Sequence, residues 1–443
     1  MELLKKAVEK HRERILAAER YIWQTPETGY REVKTSSYLA EKFEELGYRL
    51  TYAEGITGFY TVIDTGREGP EVLVLAELDS VICPTHPECN KETGAVHSCG
   101  HHTQCAALLG LAAALKEPHV LDSLSGRIRL CAVPAEELLE LEYRKELRAK
   151  GTIKYFGGKP EFLHRGYFDG VDMAFMIHAS SKFAVTDGSI GCITKNVIYK
   201  GKSAHAGGAP WLGTNALYAA NCGINAANAL RETFKEADVI RFHPIITHGG
   251  DMVNAIPAEV HMESYVRGKT FDAITTANKA LNRALAGAAL SLGANVEIID
   301  IPGYAPLIND PGMMQVALDA MTAIIPEENV NIVHSTSSGC TDMGDLSSIM
   351  PVVHPYSGGA QGTGHGADYI IADPDAATVK SAQVQLAMLH LLLENGAARA
   401  KQILADFTPR FASKDEYLSF LDSLNAAGDR ITYREDGVAE AKI

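Results

Sequence analysis

Two short stretches hold the residue types that a hydrolytic metal centre needs. Cys99-Gly-His101 offers a thiol and an imidazole two positions apart, and Val133-Pro-Ala-Glu136-Glu137 sets adjacent carboxylates at the exit of an apolar run. Cysteine thiolate, neutral histidine and carboxylate are the usual ligands of zinc, and manganese accepts the oxygen donors among them. A centre that hydrolyses a substrate needs one carboxylate on the metal and a second one free to take a proton from water. Neighbouring glutamates beyond a strand end can point in different directions, so Glu137 is read as a ligand and Glu136 as the general base. His178, after the apolar run Asp172–Ile177, is a further imidazole ligand. His365, in the glycine-rich loop Gly358–Gly366, supplies a fifth ligand from far along the chain. Asp79, two residues past the run that ends in Glu77, is placed to fix the tautomer of a ligating imidazole. Taken singly these features have ordinary explanations: a solvated acidic pair, a small core cysteine, a core histidine, a turn. Their recurrence at several strand ends selects the metal reading, with two divalent ions, zinc or manganese.

These groups need a framework whose strand ends converge. The runs Glu71–Glu77, Arg127–Val133 and Asp172–Ile177 lack polar alternation, which indicates a sheet buried on both faces. An Ala/Leu-rich helix from about Thr103 to Leu115 separates the first two, and helices over Leu3–Trp23 and Ser36–Leu46 precede them. In open α/β sheets ligands bind at the carboxyl ends of the strands, where each of these candidates lies. From Gly191 to Ile301 the rhythm changes to strand, helix, two strands, helix, strand, the order of a ferredoxin-like α+β unit. The second strand of that unit is expected over Ala237–Thr247. The expected architecture is an α/β domain over 1–190 and 303–443, with a mixed, mostly parallel sheet sandwiched by helices, interrupted by an α+β domain over 191–302.

Bulk properties narrow the function classes. The chain has 443 residues, 46% hydrophobic and 22% charged, with a net charge of −14. That charge offers no basic face to nucleic acid or anionic lipid. The longest apolar stretch, Cys105–Leu115, falls short of the roughly 20 residues that span a bilayer. The opening Met1-Glu-Leu-Leu-Lys-Lys lacks a signal-peptide core, and eight cysteines read as reduced thiols, so a cytoplasmic location is expected. Cys83, His86, Cys89 and His97 could form a structural zinc site, but prolines and irregular spacing favour a loop bordering the substrate pocket.

Beyond the metal candidates, the chain resembles metallopeptidase family 20, the aminoacylase/carboxypeptidase/amidohydrolase group. Within it the cysteine-ligand amidohydrolases are most similar, a subfamily that includes auxin-conjugate and aminobenzoyl-glutamate hydrolases and dipeptidases for unusual dipeptides. The motifs run through Thr25–Glu32, His97–His101, Pro134–Glu137, Gly201–Ala206, Gly249–Pro257, Ser338–Gly344 and Gly364-His365. The resemblance implies a dinuclear catalytic domain with Cys99, His101, Glu137, His178 and His365 as ligands and Glu136 as base. It implies that the inserted domain is a lid through which a homodimer forms. His205, in the glycine-flanked loop Lys202–Gly208, would then stabilise the oxyanion in the partner's site, and Asn254 and Arg267 would help to hold substrate. The implied reaction is hydrolysis of an amide in an N-acyl amino acid or a non-standard dipeptide. A carbamoyl-amino-acid hydrolase and a catalytically silent metal-bearing binding protein are the alternatives. The sequence departs from the family pattern in four places. His102-Thr103-Gln104 follows His101 where Asp-Gly-His is common, and Leu138-Leu139 replaces small residues after the glutamate pair. Glu140–Lys159 reads as an insertion, and Glu77 stands where other branches place a metal-binding histidine.

Overall fold

Apolar runs without alternation become adjacent strands of one six-stranded sheet. In this computed structural model, which describes residues 1–442, its spatial order is Thr51–Tyr52, Phe59–Asp64, Arg127–Val133, Glu71–Glu77, Met173–Phe175 and Val352–Val353. Neighbours from Arg127–Val133 onward run parallel, and the first two pairings are antiparallel. Every residue of Glu71–Glu77 is buried, as a strand covered by helices on both faces requires. Its register sets Glu77 opposite Val133 and Val74 opposite Phe175, so three carboxyl ends finish at one edge. The segments carrying Asp79, Glu136, Glu137 and His178 leave from that edge.

The helix His101–Ala114 is buried along its whole length and carries the first imidazole at its start. The chain enters it through Gly100, at φ 101°, where a Cβ would lie 2.6 Å from the Tyr369 hydroxyl. Only glycine takes that turn without strain. The helix expected over Leu3–Trp23 is two, Glu2–Glu9 and Arg12–Trp23, because Lys10 and His11 turn out to reach Glu117.

The chain divides into two compact units. The first comprises Met1–Gly188, Leu307–Ser337 and Thr341–Lys414; the second comprises Ser189–Pro306, Ser338–Cys340 and the chain from Asp415 on. The second unit is an antiparallel sheet in the order Arg241–Phe242, Glu259–Gly268, Gly191–Lys200, Asn295–Pro302, with helices Ala216–Ala229 and Phe271–Ser291. Alternate residues of Glu259–Gly268 are buried, so one face packs on the helices. The strand expected over Ala237–Thr247 is two short ones, Arg241–Phe242 and Ile245–His248, on either side of Pro244, which has no N–H to donate to a ladder.

The C-terminal segment corrects the expected boundary. Residues from Asp415 on group with the second unit, not with the sheet that precedes them. The edge strand Asn295–Pro302 has backbone groups to satisfy: Asp300 exchanges hydrogen bonds with Ala426 at 2.7 and 3.0 Å, and Arg430 N–H donates to the Val296 carbonyl at 2.8 Å. Ile431 is buried in the same core as Val197, Met262 and Ile298. The tail thus covers a sheet edge. Among the described residues no helix is long and apolar enough to cross a membrane.

Candidate metal centre and active site

Two imidazoles are fixed with their Nε2 atoms facing one space. His101 Nδ1 donates to the Asp79 carbonyl at 3.0 Å and lies 3.1 Å from Asp79 Oδ1. His178 Nδ1 donates to the Ala179 carbonyl at 2.8 Å. Because a carbonyl only accepts, the proton of each neutral ring sits on Nδ1 and the Nε2 lone pair is free for a Lewis acid. Asp79 also accepts the Glu137 N–H at 2.8 Å through Oδ2, so one buried carboxylate orients both a ring and the chain at the glutamate pair.

The ligand atoms form two groups that meet at one sulfur. Cys99, His101 and His178 lie within 4.8 Å of one another, and so do Cys99, Glu137 and His365. Cys99 Sγ is 3.4 Å from His178 Nε2, and His365 Nε2 is 3.0 Å from Glu137 Oε1. His365 sits at φ 62° with its N–H on the Ser98 carbonyl at 2.8 Å, which ties the late loop to the cysteine loop. All five residues expected as ligands are therefore brought together, with Asp79 behind them. His101 Nε2 is buried with no hydrogen-bond partner, although Glu77 Oε2 lies 3.2 Å away. An orphaned nitrogen of this kind among thiol and carboxyl groups fits a divalent ion.

The two glutamates have different electrostatic settings. Burial drives the Glu136 carboxyl well above the usual range, reinforced by Glu77, Glu137 and Asp342 and opposed by Lys159. Burial acts the same way on Glu137, but the hydrogen bond and charge of His365, with the charge of His101 and the Cys99 thiol, together outweigh it and hold Glu137 low. Neighbouring carboxyls pushed apart in this way suit one ligand and one acid-base group. Burial, with Glu137 and Glu136 nearby, also raises the Cys99 thiol, so a bound metal must displace its proton.

Several contributors lie outside the expected site residues. Lys159, fully buried in the segment read as an insertion, pairs with Glu77 and with Asp342. Arg144, also buried, donates to the carbonyls of Glu137 and Phe156. Glu32 accepts the Ala135 N–H at 2.8 Å. The charges of Lys159 and Arg144 look like surface charges in a sequence, and only the long spacing to His178 marks their segment.

Cys83 and Cys89 lie in an apolar cluster with Trp23, Val81 and Tyr369, while His86 Nε2 meets the Tyr369 carbonyl at 2.9 Å. This loop backs Tyr369, which lines a cleft of about 390 Å³ together with Cys99, His178, Tyr356 and His365. In the second unit, exposed His205 accepts the Gly207 and Gly208 N–H groups at its Nδ1, at 3.2 and 2.8 Å. Asn254 lies beside it, since the Ala206 N–H donates to the Asn254 carbonyl at 3.0 Å. Arg267, near the end of Glu259–Gly268, stands 5.2 Å over the Tyr265 ring.

Comparison with known proteins agrees with this geometry. Residues 73–390 match the family described as Peptidase family M20/M25/M40. The chain is 28% identical over 376 residues to a mouse Xaa-Arg dipeptidase, covering 80% of each protein. It is 30% identical over 328 residues to the N-acetyl-L-cysteine deacetylase of Bacillus subtilis (strain 168), covering 69% of this chain and 71% of that one. A solved Bacillus subtilis structure, described as a dinuclear metal binding peptidase from the M20 family, shares the fold with a TM-score of 0.65 at 21% identity, over 87% of this chain and 99% of that one. With thiol, imidazoles and carboxylates converging as they do, the chain belongs to peptidase family M20/M25/M40 as a metal-dependent amidohydrolase.

Proposed function

We infer that the protein hydrolyses the amide bond of an N-acyl amino acid or a non-standard dipeptide at a pair of divalent cations. The observation that carries this reading is the sharing of Cys99 by two ligand groups, beside a buried carboxyl, Glu136, that belongs to neither. Cys99, His101 and His178 would hold one ion, and Cys99, Glu137 and His365 the other. Two such ions, zinc or manganese, would polarise the carbonyl, acidify the attacking water and draw Glu136 back toward its carboxylate form. Glu136 accepts the proton of the water and returns it to the leaving nitrogen. Asp79 keeps His101 in its working tautomer.

The first unit is the catalytic domain in this reading and the second a lid through which a homodimer forms. Support for the dimer comes from Trp211, Tyr218, Ile245, Ile246, Met252 and Val253, which are all exposed in the second unit. Ile245–His248 is exposed at every position, an apolar edge that a second copy would cover. His205 carries its proton on Nε2, because Nδ1 accepts from two backbone amides. A neutral Nε2–H donor suits a developing oxyanion in the partner's site. Asn254 and Arg267 would hold the carboxylate of the substrate. Eight cysteines in a chain of this length read as reduced thiols, which favours a cytoplasmic location.

The test is a panel of N-acyl amino acids, carbamoyl amino acids and dipeptides, assayed with zinc, manganese or cobalt. Release of the amino acid with two ions bound supports the reading. Carbon dioxide and ammonia release would identify a carbamoyl hydrolase, and binding without product under every metal condition a binding protein. For the lid, inactive Glu136→Gln and His205→Ala subunits are mixed under exchange. Recovered activity supports a role in trans, and no recovery despite proven exchange refutes it.

A further inference from the structure

His101 belongs to two competing ligand sets. One is Cys99, His101 and His178; the other is Glu77, His101 and Glu136, and each is drawn together within 4.8 Å. His101 Nδ1 is committed to Asp79, which leaves Nε2 as the single atom that both sets claim. Glu77 Oε2 stands 3.2 Å from it and Glu136 Oε2 3.9 Å. One ion cannot take both sets. The sets differ in chemistry: thiolate with imidazoles favours zinc, whereas two carboxylates with one imidazole shift the preference toward manganese. An ion in the second set would also tie up Glu136, the group needed to move protons.

Glu77 already has partners. Its Oε1 takes the Lys159 ammonium at 2.5 Å, and its Oε2 takes the Gln104 amide at 2.9 Å. Lys159 is fully buried and its ammonium also meets Asp342. Its own backbone N–H donates to Asp342 Oδ2 at 2.9 Å, so the residue is held at both ends. A buried ammonium with such fixed partners is a permanent counter-ion to Glu77.

We propose that Lys159 decides which ligand set holds the ion at His101, by keeping Glu77 as its own partner and so leaving Glu136 free. Lys159 is thus a positioning residue that acts through Glu77. The inference rests on the two-cation reading above.

The experiment compares the wild type with Lys159→Met and with Lys159→Met/Glu77→Gln. Zinc and manganese compete for each protein, with bound metal counted by elemental analysis, and the cobalt-loaded forms are examined for the near-ultraviolet thiolate-to-cobalt band. In Lys159→Met the zinc-over-manganese preference is expected to fall at least about tenfold, and the band per cobalt to weaken, as carboxylates replace sulfur. The double variant, in which Glu77 no longer carries a charge, is expected to regain both. A purely structural lysine would lower stability and leave preference and band unchanged, and that result overturns the proposal. Should Lys159→Met fail to fold, Glu77→Gln alone decides. It keeps the Lys159–Asp342 pair, and an unchanged preference and band support the proposal, whereas loss of either shows Glu77 to be a ligand and overturns it. A wild type with no thiolate band at all overturns the two-cation reading itself, an outcome distinct from a normal band that Lys159→Met fails to alter.

Discussion

Replacing Glu136 with glutamine keeps the shape of the side chain and removes its capacity to accept a proton. A positioned general base contributes about 10²–10⁴ in rate. The structure places Glu136 in the upper part of that range, because no neighbour can substitute for it. Glu77 is committed to Lys159 and Gln104, and Glu137 is paired with His365. Glu136→Gln should therefore lower kcat by roughly 10³–10⁴, about 4–5 kcal/mol of transition-state stabilisation, with little change in KM. Neither group that shares Cys99 includes Glu136, so two ions should remain bound. Stability gives an independent reading. The native carboxyl is raised above its ordinary 4.5, so at pH 7 the native state holds the proton more tightly than the unfolded chain does, and ionisation there costs stability. The metal-free variant should accordingly melt no lower than the wild type at pH 7, and higher if burial dominates. Steady-state kinetics on the best amide substrate, elemental analysis and thermal melts of the metal-free forms supply the three readouts. Turnover within tenfold of wild type with both ions in place would remove Glu136 from the mechanism. Loss of an ion would make it a ligand instead.

Three further outcomes follow from other contacts. Asp79→Asn weakens the hold on His101 Nδ1 and on the Glu137 N–H, and metal affinity should fall about 10–100-fold in a chelator competition. Arg144→Met strands the Phe156 carbonyl in a buried setting and leaves the Glu137 carbonyl only the Leu139 N–H, and urea unfolding should show a loss of about 1–3 kcal/mol. Burial lowers His390 from its ordinary 6.5 to about 4, so the unfolded chain takes up a proton there before the native state does. Stability should then fall as pH drops from 6.5 toward 4, by about 3 kcal/mol in all, and His390→Leu should flatten that part of the stability profile measured by urea melts.

The cluster of candidate ligands is legible in the sequence because its residues follow a strand or a glycine turn, and such positions can be read from apolar runs and from Gly100 or the Gly358–Gly366 loop. The sheet is legible for the same reason: Glu71–Glu77 has no polar alternation and is in fact buried throughout. What escapes is the buried charge. Lys159 sits among glycine, proline and charged residues, a composition that normally marks surface. Its burial depends on Glu77 and Asp342, which are 82 and 183 positions away. The destination of the C-terminal tail escapes likewise, because the edge it covers is defined by a strand more than a hundred residues earlier. Long-range satisfaction of polar groups leaves no periodicity to read.

How the adjacent glutamates come to point in different directions is answered by the backbone around them. Ala135 sits at φ 57°, a left-handed conformation that costs a β-carbon-bearing residue about 1–2 kcal/mol. Three polar contacts hold it there. Its N–H goes to Glu32 at 2.8 Å, its carbonyl takes the Gly158 N–H at 3.2 Å, and the next amide but one, of Glu137, goes to Asp79 at 2.8 Å. Gly158 must be glycine, since a Cβ there would meet the Pro134 carbonyl at 1.7 Å. The carbonyl of Glu137 is taken by Arg144. Glu136 is thus the unclamped residue between two clamped neighbours, directed toward His101 while Glu137 turns to His365. Gly158 and Arg144 both lie within Glu140–Lys159, the segment read from the sequence as an insertion, and the residue after Gly158 is Lys159. The segment Glu140–Lys159 therefore clamps the backbone on both sides of Glu136 and supplies the cation that occupies Glu77.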